Sequence, residues 1–300
     1  MSKMNFFMQY TGLLAATGND VVDFFNRMTT NDIAKIGVNE NIKTVLLTDK
    51  GRIIDLLTLF RRGEKLFIKT SYYYESKVNE YLNKYIVMDD VSLTKCDGQF
   101  VNFIVFGEGK DKAMLRVSEY ESKVTQDRFQ QNLLLYYSEN IGFESLEVIC
   151  HLDKSHEIRS LLSDGNFQTC LDYEYMRISS GYPEAPGELN EDINPLECGL
   201  KKFVSFKKGC YVGQEVIARL DSQDKIPKQM VRISSDEILE KDALIFDRNG
   251  AECGFVSSVA VKEGKNVALG FVRSVNLDFD SEYKSVIGEK QIIIKIHKTN

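Results

Sequence analysis

The chain has 300 residues, 44 of them acidic and 38 basic, for a formal net charge of −6; 43% are hydrophobic and 27% charged. That balance belongs to a globular protein with a sizeable core. It weighs against broad nucleic-acid binding and attachment to anionic membrane surfaces, both of which rest on excess Lys and Arg, and leaves room for a local basic patch. No run approaches the ~18 uninterrupted apolar residues of a membrane span, and the six scattered cysteines form no CxxC pair, which points to a reducing, cytoplasmic setting.

The N-terminal stretch MSKMNFFMQYTGLLAATGND is interrupted by Gln9, Tyr10 and Thr11 and lacks a cleavage pattern, so it reads as folded chain rather than a signal peptide. A helix is predicted over residues 20–28, capped by Asn19, with Val21, Val22, Phe24, Phe25 and Met28 on one face. Residues 42–48 and 53–60 form a hairpin about Asp49-Lys50-Gly51. A turn at Arg61-Arg62-Gly63 leads to a strand over 65–69. Residues 74–86 are amphipathic, with a stripe of Val78, Tyr81, Leu82 and Tyr85. Strands follow at 91–94, 101–106, 133–137 and 146–150, and helices at 154–162 and 171–179. Hairpins mixed with helices argue for an α+β fold rather than a doubly wound parallel sheet.

Beyond about residue 228 the pattern changes to short strands at 231–234, 243–246, 254–261 and 267–272, a small all-β domain of barrel or sandwich type. Asp221-Ser222-Gln223-Asp224-Lys225 is the linker candidate. The expected domains are 1–225 and 228–300. His151, His156 and His297 have no metal-ligand spacing with the cysteines, and no metal site is expected. There is no phosphate loop and no GxSxG or HExxH motif.

The most unusual stretch is Lys207-Lys208-Gly209-Cys210-Tyr211-Val212-Gly213-Gln214-Glu215. Two glycines bracket a cysteine and an aromatic ring, and two lysines precede the thiol. Nearby cations favour the thiolate, and small neighbours leave it accessible. Taken alone, the spacing equally suits a tight turn holding a buried cysteine.

KKGCYVGQEVIARL resembles the K-G-C-aromatic-x-G-Q-E signature of the YgfZ family, folate-binding relatives of the glycine cleavage T-protein. FFNRMTTNDI (24–33), LLTDKGRIIDLLTLF (46–60), MRISSGYPEAPGELNEDINPLECGL (176–200) and CGFVSSVAVKEGKNVALGFV (253–272) extend the resemblance over most of the chain. It implies a folate-binding region of two ferredoxin-like halves followed by a C-terminal β-barrel. It also implies tetrahydrofolate or a derivative as cofactor, iron–sulfur proteins as partners, and a role in iron–sulfur cluster assembly or repair and in tRNA modification. Cys210 is then the candidate reactive thiol, with Lys208 beside it and Gly209, Tyr211, Gly213, Gln214 and Glu215 completing the motif.

A folate needs a carboxylate for pterin N–H groups, an apolar wall, and Arg or Lys for its glutamate tail. By resemblance to the T-protein, YMRISSGYP places Arg177 in such a role and IGFESLEVIC places Glu147 there, with Glu144 competing. Of Glu188, Glu191 and Glu197, two are expected to be solvated loop charges. Tyr72-Tyr73-Tyr74 reads as packing rather than a stacking platform.

Aminomethyl transfer in the T-protein needs an aspartate near an N-A-x-N segment. FIKTSYYYESKVNEYL has no such segment, and no aspartate lies between Asp55 and Asp89, so glycine cleavage chemistry is not expected. An aminomethyltransferase and a non-catalytic folate-binding scaffold remain the alternative readings. Four of the other five cysteines sit in apolar or strand-like contexts where thiols are inert; Cys198, in a loop, is the exception.

Overall fold

The computed structural model describes residues 4–124, 133–140, 142–223, 225–288 and 290–299. Residue 224 of the linker candidate, residues 1–3 of the N-terminal stretch and residue 141 lie outside them. The fold is α+β. The chain divides into two compact units, one of Met1–Asn26, Asp32–Thr44 and Leu56–Cys170, the other of Arg27–Asn31, Val45–Asp55 and Leu171–Asn300.

The first unit is organised by β1 (Asn5–Thr17). Its first half, residues 5–11, pairs antiparallel with β6 (Phe100–Phe106), and its second half, 12–16, pairs antiparallel with β4 (Lys65–Thr70). One strand therefore stitches two ferredoxin-like halves together. In the first half, β5 (Ser92–Lys95), β1, β4 and β3 (Ile53–Arg62) lie side by side, with β2 (Asn41–Leu47) beyond β3; the end of β2 and the start of β3 count with the second unit. α1 (Val21–Met28) and α2 (Glu75–Asn83) complete it. In the second half, β6, α3 (Lys110–Val124), β7 (Leu134–Asn140), β8 (Phe143–His151), α4 (Ser155–Leu161) and β9 (Asn166–Phe167) run in a β-α-β-β-α-β order, with β1 inserted between β6 and β9.

β1 carries no clean alternation because its pairing partners change midway, and the sequence predicted no strand there. α3 was not predicted either. Among its described side chains only Ala113 and Val117 are fully buried, a stripe too narrow to stand out. In α2 the stripe is narrower than expected: Val78 and Leu82 are buried, while the Tyr81 and Tyr85 hydroxyls meet outside at 3.3 Å. Asn19 does not cap α1. Its amide donates to Asp90 Oδ2 at 2.7 Å, and the Asp20 carbonyl accepts the first helical bond, from Phe24 N.

The second unit contains a closed six-stranded barrel among the described residues, in the order β10 (Lys228–Ser235), β13 (Lys265–Arg273), β12 (Glu252–Lys262), β11 (Leu244–Phe246), β14 (Tyr283–Ile287) and β15 (Lys290–Lys298). Val231, Ile233, Ile245, Val256, Ala268, Ile292, Ile294 and Ile296 fill it. β14 and β15 add to the four predicted strands. The period-two run of Ile292, Ile294 and Ile296 is the signal that marks β15. α5 (Cys170–Ser180), from Leu171 onward, and α6 (Gln214–Ser222) precede the barrel in the same unit. Among the described residues no helix is long and apolar enough to cross a membrane.

Candidate functional site

The loop bearing Cys210 is anchored by its neighbours and open at the cysteine itself. Gly213 sits at φ 82°, a left-handed conformation that glycine adopts without penalty. A Cβ there would come within 2.7 Å of the Thr48 carbonyl oxygen, so only glycine lets the loop lie against the 48–51 turn. Gly213 then starts α6. The Gln214 side chain reaches back to accept from Tyr211 N at 3.3 Å, while Gln214 N donates to the Tyr211 carbonyl at 3.1 Å. This reciprocal clamp resembles a capping box displaced by a residue. Glu215 is exposed in the first helical turn, where negative charge suits the helix dipole.

Lys208 is a brace. Its ammonium donates to the Thr29 and Asn31 carbonyls and lies 5.0 Å from the centre of the buried Tyr211 ring. The charge expected to favour a thiolate is thus committed to two carbonyls and a ring face. Val212 N donates to the Arg27 carbonyl at 3.1 Å, Ser205 N to that of Thr30 at 2.9 Å, and Thr30 Oγ1 to that of Phe203 at 2.8 Å. The T-T-N segment, whose role sequence reasoning missed, is thereby the bed on which the cysteine loop rests. Cys210 itself is exposed, as is Gly209, around which a Cβ would meet nothing within 4 Å.

The other thiols differ from expectation in two places. Cys198 is buried, its Sγ 3.2 Å from the Glu188 carbonyl oxygen, and burial pushes its pKa well up. Cys170, at the start of α5, is exposed. Burial also raises Cys96 and Cys253 to about 11 and Cys150 to about 12. Cys150 is in the core, the neighbouring His151 Nδ1 accepts from Asp153 N, and no group of three or more His, Cys, Asp or Glu that could hold a metal occurs among the described residues.

Arg177 lies buried in an ion cluster of the second unit. Its Nε and Nη2 donate to Glu174, and its Nη1 to Glu188 Oε2 at 2.9 Å and to the Tyr182 carbonyl at 3.0 Å; Glu184 lies at 3.5 Å. Burial opposes the guanidinium charge, but these carboxylates more than restore it, and its pKa is raised. Glu188 is fully buried and accepts at Oε1 from Ser257 Oγ at 2.5 Å and from Ser258 Oγ at 2.7 Å. Consecutive residues of a strand point to opposite faces. A register shift between Val256 and Ser258 is what lets both hydroxyls reach one oxygen. The expectation that two of the three glutamates are solvated is overturned: Glu188 and Glu197 are buried, and only Glu191 is exposed.

Glu147 lies in the first unit, on β8, with no exposed surface. Its Oε2 accepts from Lys69 Nζ at 2.5 Å, Asn102 Nδ2 at 2.8 Å and the Tyr136 hydroxyl at 3.1 Å. Burial alone would raise its pKa, but the Lys69 and Lys43 charges and these hydrogen bonds outweigh it and bring it to about 2. Sequence reasoning found the carboxylate and missed its partners, which come from three other strands. As direct ligands for tetrahydrofolate, Arg177 and Glu147 fit poorly. The guanidinium is already engaged on all three nitrogens, and one oxygen of Glu147 already has three donors.

Two ferredoxin-like halves stitched by one strand, followed by a closed barrel, define an aminomethyltransferase-T-like fold. The chain superposes on the glycine cleavage system aminomethyltransferase T from Bartonella henselae with a TM-score of 0.83, at 17% identity, over 99% of this chain and 86% of that one. Residues 6–132 match the GCVT N-terminal domain family. A chloroplastic protein of Arabidopsis thaliana, named provisionally as a transferase, is 24% identical over 280 residues, which cover 89% of this chain and 64% of that relative.

Proposed function

We propose that this chain is a tetrahydrofolate-binding protein of the YgfZ type that supports iron–sulfur cluster assembly or repair, and through it tRNA modification, with Cys210 as its reactive group. The observation that carries the reading is the construction of the K-G-C-Y-V-G-Q-E loop. Lys208, Tyr211, Val212, Gly213 and Gln214 are each fixed by a nameable contact or by φ, while Lys207, Gly209, Cys210 and Glu215 are exposed. A purely structural cysteine would be buried like Cys150 or Cys198.

In this reading Lys208, Tyr211, Gly213 and Gln214 hold the thiol in place rather than react. Arg177 and Glu147 are positioning residues that keep the frame of their own units. Tetrahydrofolate would supply a one-carbon carrier.

The test is calorimetric titration of the purified chain with tetrahydrofolate, joined to complementation of a deletion strain scored by an iron–sulfur enzyme. Saturable binding together with loss of complementation by Cys210→Ala supports the reading. No binding, or full complementation by that variant, removes it. The match of residues 6–132 to the GCVT N-terminal domain family favours a second reading, an aminomethyltransferase. Turnover with lipoyl carrier protein and tetrahydrofolate would establish that reading instead.

A further inference from the structure

A cleft of about 290 Å³ opens in the first unit between β1, β5 and the start of α2, and is lined among others by Gly12, Tyr72, Tyr73, Glu75, Lys95 and Asp97. Three of its features bear on what it binds. Glu75 Oε2 is buried and has no hydrogen-bond partner among the described residues. Such an acceptor carries a desolvation penalty until a donor reaches it. The carboxylate fits there only because residue 12 is glycine: a Cβ would come within 2.7 Å of that oxygen. The wall is aromatic. Tyr72 stacks on Tyr10 at 5.0 Å and lies 3.8 Å from the Tyr73 ring at 34°. Tyr73 is 74% exposed and held at φ 65°, a left-handed conformation uncommon for a bulky side chain and of the kind found at ligand clamps. The ionisable lining of Glu75, Asp97 and Lys95 sums to one net negative charge, and the Lys95 ammonium is directed at Ser76 Oγ, 3.2 Å away.

An unsatisfied acceptor, net negative charge and stacked tyrosines select a flat cation rich in N–H donors. We propose that this cleft binds an alkylguanidinium group, its N–H groups donating to Glu75 and its plane lying against Tyr72 and Tyr73. Guanidinium pairs with carboxylates through two parallel hydrogen bonds and stacks on aromatic faces, which a compact ammonium does less well. The group belongs either to a free small cation or to an arginine of a partner chain. This inference stands independently of folate binding and of Cys210.

The test titrates the full chain with n-propylguanidinium, n-propylurea and a capped arginine, followed by tyrosine-region NMR shifts. Saturable binding of n-propylguanidinium in the millimolar range, with none for the neutral urea, is the expected result. Glu75→Gln should weaken it by about tenfold or more. Tyr73→Ala, at the exposed rim, serves should the Glu75 variant fail to fold, and should weaken binding by several-fold. Tighter binding of the capped arginine assigns the site to a partner chain, and tighter binding of n-propylguanidinium assigns it to a free cation. Equal binding of guanidinium and urea, no saturation, or affinity unmoved in the folded variants overturns the proposal.

Discussion

At Cys210 the local chain leaves the sulfur exposed while fixing the residues on either side. Near neutral pH a mild alkylating agent should therefore label Cys210 and Cys170 and leave Cys96, Cys150, Cys198 and Cys253 nearly untouched, since burial raises the pKa of all four. Mass-spectrometric labelling in a Cys170→Ser background checks this; Cys210 reacting no faster than Cys96 would contradict it. The two glycines of the motif should behave differently. Gly213→Ala forces a Cβ to within 2.7 Å of the Thr48 carbonyl oxygen at φ 82° and should cost roughly 1–3 kcal/mol. Gly209→Ala meets nothing within 4 Å and should leave the melting temperature unchanged. Thermal melts of the two variants separate the brace from the opening.

Two buried ion clusters set the stability of individual elements. In the second unit, Arg177 holds α5 to the loop of Glu188, and Glu188 is held in turn by the bulge of β12. Arg177→Ala leaves buried carboxylates without their cation and should destabilise the chain by about 3–5 kcal/mol. Denaturant unfolding measures that loss; a variant as stable as the parent would show that the cluster is not what holds α5. In the first unit, Glu147 has its pKa lowered from 4.5 to about 2. The unfolded chain then binds the proton first as pH falls. The contribution of Glu147 is complete above about pH 4.5 and is lost as pH drops through about 2. The shift corresponds to about 3 kcal/mol at neutral pH. Glu147→Gln should lower stability at pH 7 and flatten its dependence on pH between those values. An unchanged acid limb in the variant would show that another carboxylate governs it.

At the scale of the whole molecule, the fold is that of an aminomethyltransferase T, while the sequence holds the K-G-C-Y-V-G-Q-E loop and no N-A-x-N segment. Fold leaves chemistry open, because function resides in sites built upon it. Purified protein incubated with tetrahydrofolate and lipoyl carrier protein should show no glycine cleavage turnover. Rates near ~1 s⁻¹ or above would be those of an enzyme and would refute the expectation. The chain spans 64% of the length of its curated plant relative.

The sequence by itself determined the α+β class, most strands, the barrel and the cysteine loop. These rest on short-range signals: period-two apolar runs, turn glycines such as Gly51, and an eight-residue motif legible without any partner. It could not determine β1, whose pairing partners change from β6 to β4 along its length. Nor could it assign Lys208, Arg177 and Glu147, whose roles depend on groups brought from distant parts of the chain. Lys208 reads as an activating cation until Thr29 and Asn31 take its ammonium. Glu147 reads, by resemblance, as a folate ligand until Lys69, Asn102 and Tyr136 close over it. Glu188 reads as loop charge until a bulge in β12 turns two serines toward it. A charged side chain has the same appearance in sequence whether water or protein surrounds it. Burial and partner geometry set its energy, and those exist only once the chain has folded.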